Sequence, residues 1–185
     1  MLAGGVEGLN GLGAEEAREV LLGCCASGRW AAEVAGGRPY GLVEEVLARS
    51  DRAVAGLTEA DLAEALAGHP RIGERPPAGP GGADGPDRSE GGGGSLSREW
   101  ARGEQAGVQE ANQVTIKALA AGNRAYEQRF GHIYLVCATG RSGAELLALL
   151  RERLEHDPAT EWHIVRRELG KINQIRLRKL LEGAG

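Results

Sequence analysis

Four polar side chains occupy positions that the packing of a core does not explain: His69, Glu104, Gln105 and Arg176. His69 comes directly before Pro70, and the residue before a proline is disfavoured in helical backbone. Its imidazole is therefore expected at a fixed corner after a helix, where it is suited to proton transfer near neutral pH. A loop histidine is more often a plain surface residue, and the local sequence leaves that alternative open.

Glu104 heads the inner face of a long predicted helix. At a helical period of about 3.6 residues it shares this face with Ala101, Val108, Ala111, Thr115 and Ala118. A carboxylate on an apolar face needs a partner. If the first turns are instead exposed, a glutamate there favours the helix dipole, and both interpretations stay open. The neighbouring Gln105 can donate and accept hydrogen bonds.

Arg176 lies on the last predicted helix, on the same stripe as Trp162, Val165, Leu169, Ile172 and Leu180. A guanidinium that faces a core needs an anion, either a buried acid or a ligand carboxylate. A side chain that extends along the surface to water is the alternative. Together the polar residues indicate an acid–base pocket for a small anionic molecule. The histidines at 132, 156 and 163 have no metal-binding spacing, so no metal site is expected.

The elements that must position these residues are helical. Apolar residues recur with helical spacing over 14–25, 30–35, 42–57 (with a break near Ser50), 58–67, 97–129, 142–154 and 157–181. Thr58 and Ser142 are predicted N-caps, and Asp157 with Pro158 predicts the start of the last helix. Only the stretch 130–139 could be extended. The fold class predicted is all-α.

Composition suits one soluble domain over residues 1–185, with 42% hydrophobic and 26% charged residues. Residues 75–96 are rich in glycine and proline and are predicted to form a flexible loop within that domain.

The net charge of −4 gives no field that favours nucleic acid or anionic membranes. No long apolar run and no basic leader occur, so a cytoplasmic protein is expected. The odd count of cysteines, Cys24, Cys25 and Cys137, predicts buried thiols without a disulfide.

Several strings occur along the chain in a fixed order: HPRIG at 69–73, EQAG at 104–107, NRAYEQRFG at 123–131, VCA at 136–138 and KINQIRL at 171–177. Together they resemble the OHCU decarboxylases, which act on 2-oxo-4-hydroxy-4-carboxy-5-ureidoimidazoline in purine breakdown. The resemblance extends from about Leu9 to Leu181.

The resemblance implies a helical carboxy-lyase, usually a homodimer, that forms (S)-allantoin without a cofactor. It implies that His69 is the catalytic acid–base residue and that Glu104 holds it. The implied substrate contacts are Pro70, the position of Ala101, Glu104, Gln105, the backbone from Val136 to Gly140, and Arg176.

Two departures from the family pattern stand out. Ala101 replaces a serine that the family commonly has three residues before the glutamate, and the loop at 75–96 is unusually long. They keep a second hypothesis open, a non-catalytic homologue that binds a ureide. A third is a helical interaction module without a small-molecule site, with His69 and Glu104 at the surface.

Overall fold

A computed structural model describes residues 2–73, residue 100 and residues 113–182. Within these residues the chain forms helices and no strand. The helices are α1 (Gly5–Gly11), α2 (Ala14–Leu22), α3 (Gly28–Ala35), α4 (Val43–Ala55), α5 (Glu59–Ala67), α6 (Gln113–Phe130), α7 (Gly143–Arg153) and α8 (Pro158–Glu182). The all-α prediction is confirmed. The predicted loop at 75–96 and the predicted start of a helix at Ser97 lie outside the described residues.

The predicted N-caps are confirmed. The side chain of Thr58 accepts a hydrogen bond of 3.2 Å from the backbone N–H of Asp61. Ser142 accepts one of 3.3 Å from the N–H of Glu145. In each pair the acidic side chain bonds back to the capping residue, which completes a capping box. Pro158 is the first residue of α8, where its missing N–H costs nothing.

Two helices differ from their prediction. Helix α4 is unbroken at Ser50, because the Ser50 hydroxyl accepts a 3.1 Å hydrogen bond from the indole of Trp30. Helix α1 was not predicted, since its glycine-rich sequence has low helical propensity. Tertiary contact compensates: Leu9 is fully buried, and the N–H of Leu2 donates to the carbonyl of Leu180 over 3.1 Å.

The core consists of two hydrophobic clusters. The larger one joins α1–α5 to α8, and the smaller one is built around Leu119 and Tyr126 of α6 and Leu146 and Leu150 of α7. Residues 133–138, which form neither helix nor strand, run between them. Along this segment side chains alternate between the clusters with the period of two that extended chain produces. The predicted extended stretch therefore joins the two halves of the core.

All three cysteines are buried free thiols, as predicted. In the described part of the chain, no helix combines the length and apolarity that crossing a bilayer requires.

Candidate active site

The His69 corner begins where α5 ends at Ala67. The backbone N–H of His69 donates to the carbonyl of Leu66 over 3.0 Å, which closes the helix. At Gly68 the corner presses against the turn after α2, so that a Cβ atom there would lie 2.6 Å from the Cβ of Ala26. Only glycine allows this approach. The contact fixes His69 next to the turn that carries Cys24 and Cys25.

Helix α6 holds the other side of the corner. The Asn123 side chain, 1% exposed, donates a 2.7 Å hydrogen bond to the carbonyl of Ile72. Arg71 donates two hydrogen bonds to Glu127, of 2.5 and 2.9 Å, and these hold the pKa of Glu127 below its ordinary value. Gly73 then turns the chain with a φ of +78°. Side chains from the NRAYEQRFG segment of α6 thus hold the backbone of the HPRIG corner in place.

The imidazole of His69 is held in its neutral form. The residue as a whole is half-buried, but its Nε2 atom is covered and has no hydrogen-bond partner among the described residues. Burial, together with the positive charge of Arg176, lowers the pKa of His69 to about 3. At neutral pH the free side chain is therefore uncharged, and its ionisation lies well below the ordinary histidine range.

Arg176 is 1% exposed, so the predicted inward orientation is confirmed and a surface position is excluded. Its Nη1 donates a 3.1 Å hydrogen bond to the carbonyl of Cys24. Its charge acts on His69 and, from the other side, on the thiol of Cys25, whose pKa is raised by burial. The structure therefore brings Arg176 and His69 together at the turn after α2.

The Val136–Gly140 segment is anchored by two long side chains. The backbone N–H of Cys137 donates a 3.0 Å hydrogen bond to Glu168, and Arg153 donates one of 2.6 Å to the carbonyl of Leu135. Burial opposes ionisation of Glu168, but the hydrogen bonds from Lys171 and Cys137 outweigh it and lower the pKa. Val136 packs in the same cluster as Ile72 of the corner, and Gly140 lies exposed at the end of the segment.

Sequence reasoning missed a buried network in the smaller cluster. Glu161, fully buried, accepts hydrogen bonds from Arg153 and from the hydroxyl of Tyr126, the latter over 2.6 Å. His156 Nδ1 lies 3.0 Å from the second carboxylate oxygen. The helical phase of Glu161 could have predicted its burial, because it lies one turn before Val165 on the stripe that leads to Arg176.

The predicted positions Glu104, Gln105 and Ala101 lie outside the described residues. Of the remaining predicted residues, His69, Pro70 and Arg176 meet at one corner, with Pro70 half-buried. In residues 2–73 and 113–182, no three His, Cys, Asp or Glu side chains converge in a way that could hold a metal ion.

Comparisons with known proteins give relatives over most of the chain. The chain is 29% identical over 161 residues to the uric acid degradation bifunctional protein of Arabidopsis thaliana, which covers 85% of this chain and 45% of that protein. It is 34% identical over 97 residues to the 2-oxo-4-hydroxy-4-carboxy-5-ureidoimidazoline decarboxylase of Amia calva, covering 48% of this chain and 51% of that protein. The chain thus matches about half the length of each of these two relatives. The decarboxylase of the same name from Haloferax volcanii is 26% identical over 80% of this chain and 79% of its own length.

Solved structures share the fold. An OHCU decarboxylase crystallised in the presence of (S)-allantoin superimposes with a TM-score of 0.71 at 25% identity, over 89% of this chain and 98% of that one. An (S)-allantoin synthase gives a TM-score of 0.64 at 17% identity over 96% of this chain and 54% of that one, a likeness of fold alone. The sequence profile of the OHCU decarboxylases matches residues 10–178. Profile and fold agree, and the chain belongs to the OHCU decarboxylase family.

Proposed function

We propose that this protein decarboxylates 2-oxo-4-hydroxy-4-carboxy-5-ureidoimidazoline to (S)-allantoin in the degradation of urate. The observation that carries this proposal is the His69 corner, where a covered neutral imidazole lies beside the buried guanidinium of Arg176. In a member of this family, such a pair provides a base next to a site for an anion.

The substrate's own chemistry explains why a cofactor is unnecessary. Its carboxylate and a hydroxyl share one ring carbon. When the carbon–carbon bond breaks, carbon dioxide leaves and the bonding electron pair stays on the ring, where the neighbouring ring double bond accepts it. One proton is taken up in each turnover because a carboxylate leaves as a neutral molecule. The ring itself is thus the electron sink.

His69 carries out the proton transfers that follow the loss of carbon dioxide. The enol formed by loss of carbon dioxide must lose its hydroxyl proton, while the ureido-bearing carbon must gain one. A neutral imidazole can accept the first proton and deliver a proton to one face of that carbon, which fixes the hand of the product. Glu104, as the sequence motif implies, orients the imidazole.

Binding is divided among the other site residues. Arg176 binds the substrate carboxylate through a bidentate fork, and the buried helix α8 holds that fork in place. Gln105, Pro70, the position of Ala101 and the backbone from Val136 to Gly140 contact the ring and the ureido group. Rigid positioning of this kind accounts for a large part of catalysis without a cofactor.

We also propose that the protein acts as a homodimer in the cytoplasm. The family resemblance supports the dimer, which light scattering of the purified protein tests. Free thiols at Cys24, Cys25 and Cys137 suit a reducing compartment.

Freshly generated substrate, followed by circular dichroism, tests the activity. Enantiospecific formation of allantoin above the spontaneous background supports the enzyme. Binding of (S)-allantoin without turnover supports the ureide-binding homologue, for which Ala101 in place of the family serine is the sequence argument. If the protein shows no turnover and no binding of (S)-allantoin, both the enzyme and the ureide-binding hypotheses are contradicted.

A further inference from the structure

Besides Asn123, a second asparagine side chain is buried near the corner: Asn173, on α8, three residues before Arg176. Asn173 is fully buried, and neither its Oδ1 nor its Nδ2 has a nitrogen or oxygen partner for a hydrogen bond among the described residues. Buried amides are nearly always hydrogen-bonded, because leaving them unsatisfied is costly. The side chain therefore needs an explanation that lies outside the packing of the fold.

Asn173 belongs to the corner that contains His69. The one polar contact of its side chain among the described residues is a hydrogen bond with the thiol of Cys25, and a thiol is a weak donor and acceptor that leaves most of the hydrogen-bonding capacity of a carboxamide unused. Residues three apart on a helix share a face, so Asn173 and Arg176 are neighbours. The charge of Arg176 acts on both Cys25 and His69. The amide thus lies in the wall of the candidate site.

Asn123 shows what a structural asparagine looks like in this protein. It is buried to the same degree, and although its Oδ1 has no partner among the described residues, its Nδ2 donates a 2.7 Å hydrogen bond to the carbonyl of Ile72 and so fixes the corner. Asn173 has no such bond to the part of the chain that is described. The two asparagines have the same chemistry and similar burial, but within the described residues only Asn123 bonds to a backbone carbonyl, while Asn173 has only a thiol.

We propose that Asn173 is a substrate-contacting residue that determines specificity, its carboxamide pairing with an N–H and a C=O of the ureido or ring amide of the ureidoimidazoline. This inference rests on the proposed function. A carboxamide matches an amide because each presents one donor and one acceptor side by side. Arg176 would select the charge of the ligand, while Asn173 would select its neutral amide. A site that is built to hydrogen-bond an amide rejects ligands that lack it.

Asn173→Leu tests the proposal, since leucine has a similar shape and no polar atoms. We expect the KM for freshly generated substrate to rise by about tenfold or more, with kcat within roughly threefold of the wild type. The thermal shift produced by (S)-allantoin should shrink, while the Tm without ligand stays the same or rises, because an unsatisfied polar group has been removed. Asn173→Ala gives the same readout if the leucine variant folds poorly.

Gln174→Leu is the matched control. Gln174 is the next residue on α8 and donates a 2.7 Å hydrogen bond to Asp51, away from the corner. Its loss should leave KM unchanged. If the wild type is active but both Asn173 variants keep its KM, or lose stability with KM unchanged, Asn173 is structural and the proposal is overturned. A wild type that neither turns over substrate nor is stabilised by (S)-allantoin overturns the proposed function, and this assignment with it.

Discussion

The smaller and larger hydrophobic clusters each enclose charged and polar side chains, and they complete the hydrogen bonds of these groups differently. In the smaller cluster, Glu161 accepts from Arg153 and Tyr126, and Arg153 also donates to the carbonyl of Leu135. At the edge of the larger cluster, the Nε2 of His69 has no hydrogen-bond partner within the described residues, and the amide of Asn173 meets only the thiol of Cys25.

The difference separates groups that hold the fold from groups that await a ligand. A buried polar network in which every member has a partner stabilises one arrangement of helices. An unsatisfied buried group costs stability in the free protein, and beside Arg176 we attribute its retention to the proposed ligand. The network around Glu161 ties α6, α7 and α8 together, and the corner around His69 is the site that we propose.

The largest expected effect comes from breaking the complete network. Glu161→Leu leaves the guanidinium of Arg153 buried without its carboxylate, and we expect a loss of about 3–5 kcal/mol in the free energy of unfolding. Urea denaturation measures this loss. Glu155→Gln, an exposed acid nearby, should change stability by less than about 0.5 kcal/mol. A loss below about 1 kcal/mol for Glu161→Leu would show that the network is not structural.

Substitution of Arg176 should impair substrate binding rather than stability, the opposite of what we expect for Glu161. Arg176→Lys keeps the charge but loses the planar fork, so KM should rise by about tenfold while the Tm changes little. Steady-state kinetics and thermal unfolding of the same preparation measure both. If Arg176 instead pairs with a structural acid, Arg176→Ala strands that acid and costs about 3–5 kcal/mol of stability, which would remove Arg176 from the site.

His69 also introduces a pH dependence of stability. Its pKa is about 3 in the folded protein against an ordinary value of 6.5, so the unfolded chain binds the proton first as the pH falls. Stability is therefore lost between about pH 6.5 and pH 3, by at most about 1.4 kcal/mol per pH unit. His69→Asn removes this contribution. The stability of the variant relative to the wild type should increase from pH 7 to pH 4, as measured by urea denaturation at each pH. A constant difference would mean that the pKa of His69 is the same in the folded and the unfolded protein.

Much of the framework could be predicted because it depends on local sequence. The caps at Thr58 and Ser142 follow from a hydroxyl with an acid three residues later. The corner at His69 follows from the proline after it, and the burial of Arg176 follows from its helical phase. Each of these signals lies within a few residues of the feature it predicts.

The features that were missed depend on contacts between distant parts of the chain. Helix α1 is stabilised by its contact with the end of α8. These two segments lie at opposite ends of the sequence, and no local pattern reveals that they pair. Ser50 leaves α4 unbroken because Trp30 binds its hydroxyl. Arg153 stands in the last turn of an amphipathic helix, where a basic residue ordinarily faces solvent. Asn173 is an uncharged residue without a motif of its own in the sequence, and only its incomplete hydrogen bonding in the structure identifies it.

The most direct test of the account compares wild type and His69→Asn in two measurements on the same preparation. The first is the rate of enantiospecific allantoin formation from freshly generated substrate, and the second is the Tm. We predict that the variant loses turnover by about 100-fold or more, the size of a lost acid–base group, and keeps the wild-type Tm, because no hydrogen bond from its Nε2 holds the described fold together. A well-folded His69→Asn protein with full activity would contradict the account.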